Sequence, residues 1–303
     1  MNTRNLRFRS NRVRDIIGLF HEELDALYGA GEVGVFLVML FEAFLGWDKV
    51  RLLTSKEQTI DQSDLLRFHW ALEDLKKHRP IQHIIGHTDF CGCRIAVSPE
   101  VLIPRPETEE IVNWTIQKLS TPHSPTFSAS LCGKFSILDL CTGSGCIAIA
   151  MKKAFPAADV TAVDISDKAL TVARRNAEDN ATDIRFLQAD LLSPTFHFPL
   201  PTSHLIISNP PYVMEKERAQ MSANVLDYDP SLALFVPDDD PLRFYKAIAK
   251  IAKQHLAPDG LLVVEINEAL ADETSALLKG YGFAPEVHTD FRGKARWISA
   301  TLE

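Results

Sequence analysis

A chain of 303 residues has room for two domains, and 46% hydrophobic with 24% charged residues excludes a mainly disordered polymer. Forty acidic residues against 32 basic ones leave a formal net charge of −8, with a pI near 5.7, which disfavours a strongly cationic nucleic-acid binder. The cysteines Cys91, Cys93, Cys132, Cys141 and Cys146 form neither a CxxC pair nor a zinc spacing, and scattered reduced thiols fit the cytoplasm. Residues 1–14 carry five arginines with no apolar run behind them, so they do not read as a secretion signal. The most apolar stretch, residues 33–40, is too short to cross a bilayer.

The first eighty residues read as helices. Ile16, Ile17, Phe20, Leu24 and Leu27 recur at three- and four-residue steps, a helical stripe stopped by Gly29 and Gly31. A second helix is expected over residues 33–45. A third is expected over residues 63–78, with Leu65, Leu66, Phe68, Leu72 and Leu75 as its apolar set and Pro80 as its stop signal. Trp47 and Trp70 are expected in the core. Residues 87–97 read as a β-hairpin centred on Gly92, and Pro99, Pro104 and Pro106 stiffen the segment that follows, marking a domain boundary. The Ser-, Thr- and Pro-rich residues 120–132 are expected as a surface loop.

From Phe135 onward strands and helices alternate. Strands are expected over residues 135–140, 160–164, 184–187, 205–208, 261–266, 286–289 and 297–301, with helices over 146–154, 167–180, 242–256 and 268–279. Short apolar strands separated by helices imply an α/β fold, a doubly wound, mainly parallel seven-stranded sheet covered on both faces. Such sheets bind ligands at the carboxyl ends of strands beside the reversal in strand order, which singles out the ends of the first, second and fourth strands.

The first of these strands runs into Cys141, Thr142, Gly143, Ser144 and Gly145. Glycines let the backbone turn sharply and approach a ligand closely, and the next helix offers free N–H groups at its N-terminus. The same turn also occurs in α/β folds with no ligand there, and it lacks the GxxxxGK[ST] pattern of a triphosphate loop. The second strand ends at Asp164, 19 residues after Gly145, where a carboxylate can accept from a ribose diol. Ser166 is the better cap for the following helix, which frees Asp164. The third strand leads to Asp190 and Leu191, placed to meet an adenine amino group and ring, though a strand-end carboxylate needs no such partner.

The fourth strand ends in Ser208-Asn209-Pro210-Pro211-Tyr212. A residue before proline is held extended, and each proline fixes φ and lacks an N–H. Asn209 and the Pro210 carbonyl thus become a rigid pair of acceptors, with Tyr212 as an aromatic wall. Such a pair suits a planar NH2 group: both N–H bonds are accepted while the nitrogen lone pair points out of plane. A tight turn capped by the asparagine is the other reading.

Together these motifs resemble the class I S-adenosylmethionine-dependent methyltransferases, of which the NPPY type modifies planar nitrogen. The run Val101-Leu102-Ile103-Pro104-Arg105-Pro106-Glu107-Thr108-Glu109 resembles the signature of the release-factor glutamine methyltransferases (the PrmC/HemK family). Arg79-Pro80 with Ile84 and Gly86, Phe90-Cys91-Gly92, Asp164-Ile165-Ser166 with Ala169-Leu170, and Arg175-Asn176-Ala177 extend the likeness. So do Tyr228-Asp229-Pro230, Glu265-Ile266, and Gly293 with Arg296, so that it covers roughly residues 60–303. Cys141, Leu191, Asp229, Asn267 and Leu270 depart from the residues usual in that family, and none lies within the NPPY motif.

The resemblance implies a Rossmann-like methyltransferase domain over residues 107–303, a small helical substrate-docking domain over 1–86, and a β-hairpin with a proline-rich hinge over 87–106. It implies S-adenosyl-L-methionine as donor, cradled by Cys141, Thr142, Gly143, Ser144 and Gly145. Asp164 would hold its ribose and Asp190 with Leu191 its adenine, while Asn209 touches donor and acceptor alike. The acceptor is then N5 of the glutamine in the GGQ loop of class-one peptide chain release factors, held by Asn209, Pro210, Pro211 and Tyr212. Arg105 and Glu107 are expected to shape the cleft, and residues 213–240 to form a mobile flap at the substrate mouth. No metal, direct nucleic-acid partner or membrane partner is expected, and the chain is expected to act as a cytoplasmic monomer. The competing reading is a nucleic-acid methyltransferase acting on exocyclic amines of adenine, cytosine or guanine. It would need a basic face for the phosphates, and the −8 charge with no Lys/Arg-dense run after Arg14 argues against it.

Overall fold

A computed structural model of the chain describes residues 8–121, 135–193 and 200–303. It divides into two compact units, Met1–Gly86 and His87–Glu303. The first holds α1 (Val13–Tyr28), α2 (Ala30–Leu45), α3 (Lys49–Thr54), α4 (Gln62–Leu75) and α5 (Ile81–Ile85). Val13, Ile16, Phe20 and Leu24 lie on one face of α1 and meet Leu37 and Leu40 of α2 and Phe68 and Leu72 of α4 in a single core. Gly29, at φ 82°, separates α1 from α2, whereas Gly31 lies inside the first turn of α2. The short α3, not expected from periodicity, starts at Asp48, whose side chain accepts the Arg51 N–H at 2.7 Å. Trp47 is buried as expected, but Trp70 is 57% exposed. It stands two residues from both Phe68 and Leu72, about 200° around the helix from the buried stripe.

The second unit opens with a hairpin, β1 (His87–Phe90) and β2 (Cys93–Ala96), that turns through Cys91 and Gly92, both at positive φ. Phe90, Cys93 and Ile95 enter the core on one face of the main sheet. The Asn176 side chain brackets Ala96, accepting its N–H at 2.8 Å and donating to its carbonyl at 3.0 Å. The hairpin is therefore built into this unit rather than standing apart from it. Chain order continues through α6 (Pro106–Ser120), β3 (Ser136–Leu140), α7 (Cys146–Ala154), β4 (Asp159–Asp164), α8 (Asp167–Asp179), β5 (Arg185–Gln188) and β6 (Ser203–Ser208). Then come β7 (Val213–Met214), α9 (Ala223–Leu226), α10 (Ser231–Leu234), β8 (Phe235–Val236) and α11 (Arg243–His255). The chain ends with β9 (Leu256–Glu265), α12 (Ala271–Gly280), β10 (Phe283–Thr289) and β11 (Ala295–Leu302). Residues 122–132 of the expected surface loop, Cys132 included, lie outside the described residues.

Seven strands form the expected, mainly parallel sheet, in the order β10-β11-β9-β6-β3-β4-β5, in which β11 runs antiparallel to both of its neighbours, β10 and β9. Successive residues of its buried strands supply opposite cores. Ile137, Ala162, Leu205 and Ile207 pack with α7, while Leu138, Leu140, Val163 and Ile206 pack with Tyr245, Ile248 and Ala252 of α11. Strand order reverses between β3 and β6. There Leu140 pairs with Ser208 on one side and Val163 on the other, and Asp164 pairs with Gln188. The register therefore releases the segments after β3, β4, β5 and β6 at one edge of the sheet. Residues 213–240 hold short elements rather than one open loop: β7 pairs in parallel with β8, and a 3-10 turn spans Glu215–Gln220.

Candidate active site

A cleft of about 740 Å³ opens at that edge, and Cys141, Thr142, Gly143, Ser144, Asp164, Asp190, Leu191, Asn209 and Pro211 all line it. Gly145, Pro210 and Tyr212 do not. The topology thus gathers residues from four strand ends into one site, as the reversal between β3 and β6 requires.

Strand β3 is buried along its whole length, and the chain leaving it bends through Cys141 at φ 60°, Gly143 at φ 53° and Gly145 at φ 80°. Cys141 carries a side chain in the left-handed region that favours glycine, which gives its departure from the usual residue a backbone cost. The Thr142 N–H donates to the Val163 carbonyl at 3.0 Å, and the Thr142 hydroxyl donates to Asp139 Oδ2 at 2.5 Å. Asp139 is fully buried, and burial pushes its carboxyl up to about 7 against the opposing Thr142 hydrogen bond. Gly145 caps α7 where α7 meets α8: a β-carbon there would lie 3.1 Å from Ala173 Cβ.

Asp164 closes this loop from the next strand. Its Oδ2 accepts the Gly143 N–H at 2.8 Å and its Oδ1 the Ser166 N–H at 2.9 Å. Ser166, not Asp164, caps α8 by accepting the Ala169 N–H at 3.2 Å. Burial raises the Asp164 carboxyl and the backbone donors oppose it. Each oxygen retains acceptor capacity. Asp190 is exposed, its Oδ1 accepting the Leu192 N–H at 2.8 Å, and Leu191 is buried beside it.

The NPPY segment is tied into a polar chain that reaches well beyond the motif. Asn209 Nδ2 donates to Thr108 Oγ1 at 3.0 Å, and Thr108 Oγ1 donates to Glu265 Oε2 at 2.7 Å. The Tyr212 hydroxyl donates to Glu265 Oε1 at 2.8 Å instead of facing the cleft. Asn267 Nδ2 donates to the Tyr212 carbonyl at 3.2 Å and to Glu217 Oε2 at 2.9 Å. Burial raises Glu265, while the Thr108 and Tyr212 hydrogen bonds and the charge of Arg296 pull it down. Burial likewise raises the Tyr212 phenol, reinforced by Glu265. Among the described residues no group donates to Asn209 Oδ1 or to the Pro210 carbonyl.

Sequence reasoning assigned no such place to Thr108 or Glu265. Glu265 did carry a signal: a lone carboxylate ends the apolar run Leu261-Leu262-Val263-Val264, and a charge so placed must find partners. Thr108 carried none beyond its place in the Val101–Glu109 motif. Arg105 ion-pairs with Asp229, whose side chain is 1% exposed, and so ties the segment before α6 to the segment before α10. Leu102 and Pro104 from the first segment, Pro230 from the second and Leu232 of α10 wall the cleft. Among the described residues no cluster of His, Cys, Asp or Glu could hold a metal, and no helix is long and apolar enough to cross a membrane.

Two family models match the chain: the methyltransferase small domain over residues 125–227 and the PrmC N-terminal domain over residues 37–86. A release factor glutamine methyltransferase of Flavobacterium psychrophilum is 40% identical over 289 residues, 93% of this chain and 96% of the relative. One from Bacteroides thetaiotaomicron is 36% identical over 286 residues, 94% and 98% of the two chains. Among solved structures, the hMettl16 catalytic domain in complex with the MAT2A 3′UTR hairpin 6 is similar in fold. Its TM-score is 0.51 at 14% identity, over 83% of this chain and 86% of that one.

Proposed function

Because the chain belongs to the release factor glutamine methyltransferase family, we propose that it transfers a methyl group from S-adenosyl-L-methionine to N5 of the glutamine in the GGQ loop of class-one peptide chain release factors. The observation that carries this reading is the position of Asn209. It lines the same cleft as the glycine loop and Asp164, with its amide nitrogen already bonded to Thr108 and its oxygen left to accept.

The cleft suits the donor. A β-carbon at Gly143 would meet no protein atom within 4 Å, so the loop there presents bare backbone to a ligand. Asp164 can accept from a pair of hydroxyls and Asp190 from an amine, and Leu191 with Ile165 offers apolar surface to a purine. When bound, S-adenosylmethionine supplies a methyl group on a positively charged sulfur, an electrophile that needs no further activation.

The demand on the protein comes from the acceptor, since an amide nitrogen shares its lone pair with the carbonyl. Asn209 Oδ1 and the Pro210 carbonyl accept its two hydrogens, hold the NH2 in place and raise electron density on nitrogen. Pro210 and Pro211 stiffen that backbone and remove N–H donors that would compete for those acceptors. Catalysis then rests on positioning and electrostatics. No strong base is required first, because the proton leaves after transfer, when the methylated nitrogen has become acidic.

The net charge of −8 favours a basic-faced protein over nucleic acid as partner. The helical unit, with Trp70, Leu53 and Val50 exposed, is our candidate for docking that partner away from the glutamine. Cys91, Cys93, Cys141 and Cys146 are all unpaired, which supports a cytoplasmic chain, and we take it to act as a monomer. The test is incubation with labelled S-adenosylmethionine and a purified release factor, followed by peptide mass mapping. Label is expected on the GGQ peptide; label on nucleic acid with none on that peptide overturns the reading.

A further inference from the structure

An asparagine can turn either end of its amide toward a substrate, and the two ends have opposite hydrogen-bonding character. In this site the choice is made by groups behind it. Thr108 Oγ1 stands between Asn209 Nδ2, at 3.0 Å, and Glu265 Oε2, at 2.7 Å. The Thr108 hydroxyl has one hydrogen to give, and it donates that hydrogen to Glu265 Oε2. Thr108 is then left only as an acceptor toward Asn209, which must offer its NH2 backward and its Oδ1 forward. The other carboxylate oxygen is held by the Tyr212 hydroxyl at 2.8 Å. Thr108 is 3% exposed and Glu265 2% exposed, so water does not compete for these bonds. Burial is the largest influence on the Glu265 carboxyl and raises it, with Glu107 acting the same way; the two hydroxyl donors, Thr108 and Tyr212, and the charge of Arg296 oppose that rise.

We propose that Glu265, acting through Thr108, is a positioning residue that fixes the Asn209 amide with Oδ1 toward the substrate, and that this relay makes the site select an amide over a carboxylate. The proposal rests on the reading that Asn209 receives an amide NH2. With Oδ1 forward, a glutamine NH2 meets an acceptor, whereas a glutamate oxygen would meet oxygen. Were the amide free to turn half a revolution, its NH2 would face the substrate NH2, donor against donor, and would welcome a carboxylate instead.

The test compares Thr108→Val, Thr108→Ser and Glu265→Gln in the full chain, with a class-one release factor as substrate and the same factor carrying glutamate in place of the GGQ glutamine as competitor. Valine keeps the threonine shape without the hydroxyl, and serine restores the hydroxyl. Wild-type turnover on the glutamine factor is read first, and its absence overturns the functional reading and the relay together. Given that turnover, Thr108→Val is expected to lose about 100-fold in kcat, the scale of a misplaced reacting group. The KM for the factor and the Kd for S-adenosylmethionine should stay near wild type. The glutamate factor should inhibit the valine variant about tenfold more strongly than it inhibits wild type, the scale of one hydrogen bond to a charged group. Glu265→Gln, whose amide can donate to Thr108 and reverse the relay, should show the same two changes, and Thr108→Ser should stay within a few-fold of wild type in both. A valine variant that keeps wild-type kcat, or that loses kcat with unchanged preference between the two factors, overturns the relay and leaves the functional reading standing.

Discussion

Replacing Gly145 by alanine would place a methyl group where α7 and α8 touch. The new β-carbon would stand 3.1 Å from Ala173 Cβ and 3.3 Å from Ala173 Cα, and the latter is helix backbone that cannot rotate aside. Overpacking of this kind costs about 1–3 kcal/mol. Gly145 also sits at φ 80°, a conformation that costs an L side chain about 1–2 kcal/mol. Reduced freedom of the unfolded chain offsets about 0.4–1 kcal/mol, leaving a net loss of about 3 kcal/mol. Gly143 is the control: its φ is 53°, but a β-carbon there meets nothing within 4 Å, so alanine should cost only about 1 kcal/mol. Native-state hydrogen exchange of the β3 amides reads this unit without interference from the helical one. Their exchange should accelerate about 100-fold in Gly145→Ala and less than about tenfold in Gly143→Ala, at about 1.4 kcal/mol per factor of ten. Equal acceleration in the two variants would show that the close approach of α8 is not what demands glycine at 145.

Asn209→Ala should abolish transfer to the release factor while leaving S-adenosylmethionine binding nearly intact by calorimetry; near-normal turnover would remove Asn209 from its assigned role. Asp139, with its carboxyl pushed up to about 7 from 3.8, keeps a proton when folded that the unfolded chain releases between those values. Stability should therefore fall as pH rises from about 4 to about 7, and Asp139→Asn, which preserves an acceptor for Thr142, should flatten that fall in urea midpoints. An undiminished slope in the variant counts against the assignment. The Arg105–Asp229 pair is asymmetric, with side chains 35% and 1% exposed, so losing the arginine strands a buried carboxylate while losing the aspartate lets the guanidinium reach water. Arg105→Met should thus be less stable than Asp229→Leu by about 1–3 kcal/mol in thermal unfolding, and equal losses would contradict that picture.

Element types and the order of motifs along the chain were legible in the sequence because their causes are local. The apolar period of α1, the glycines after β3 and the prolines after β6 act within a few residues of themselves. Their convergence on one sheet edge followed from the alternation of strands and helices, since parallel strands all end on the same side. What surrounds the motifs was not legible. Trp70 belongs to an apolar-looking helix, yet its angle around α4 turns it outward. Residues 213–240 lack strong periodicity, yet β7 and β8 pair across them.

The amino-acid sequence by itself determined that an asparagine and two prolines close a parallel strand beside a glycine loop. Only the tertiary structure decided which way that asparagine faces. Thr108 lies 101 residues from Asn209 and Glu265 lies 157 residues from Thr108, and strand register with the seating of α6 brings the three together. A hydrogen bond depends on where two atoms end up, to within a fraction of an ångström. No pattern along the chain encodes that distance.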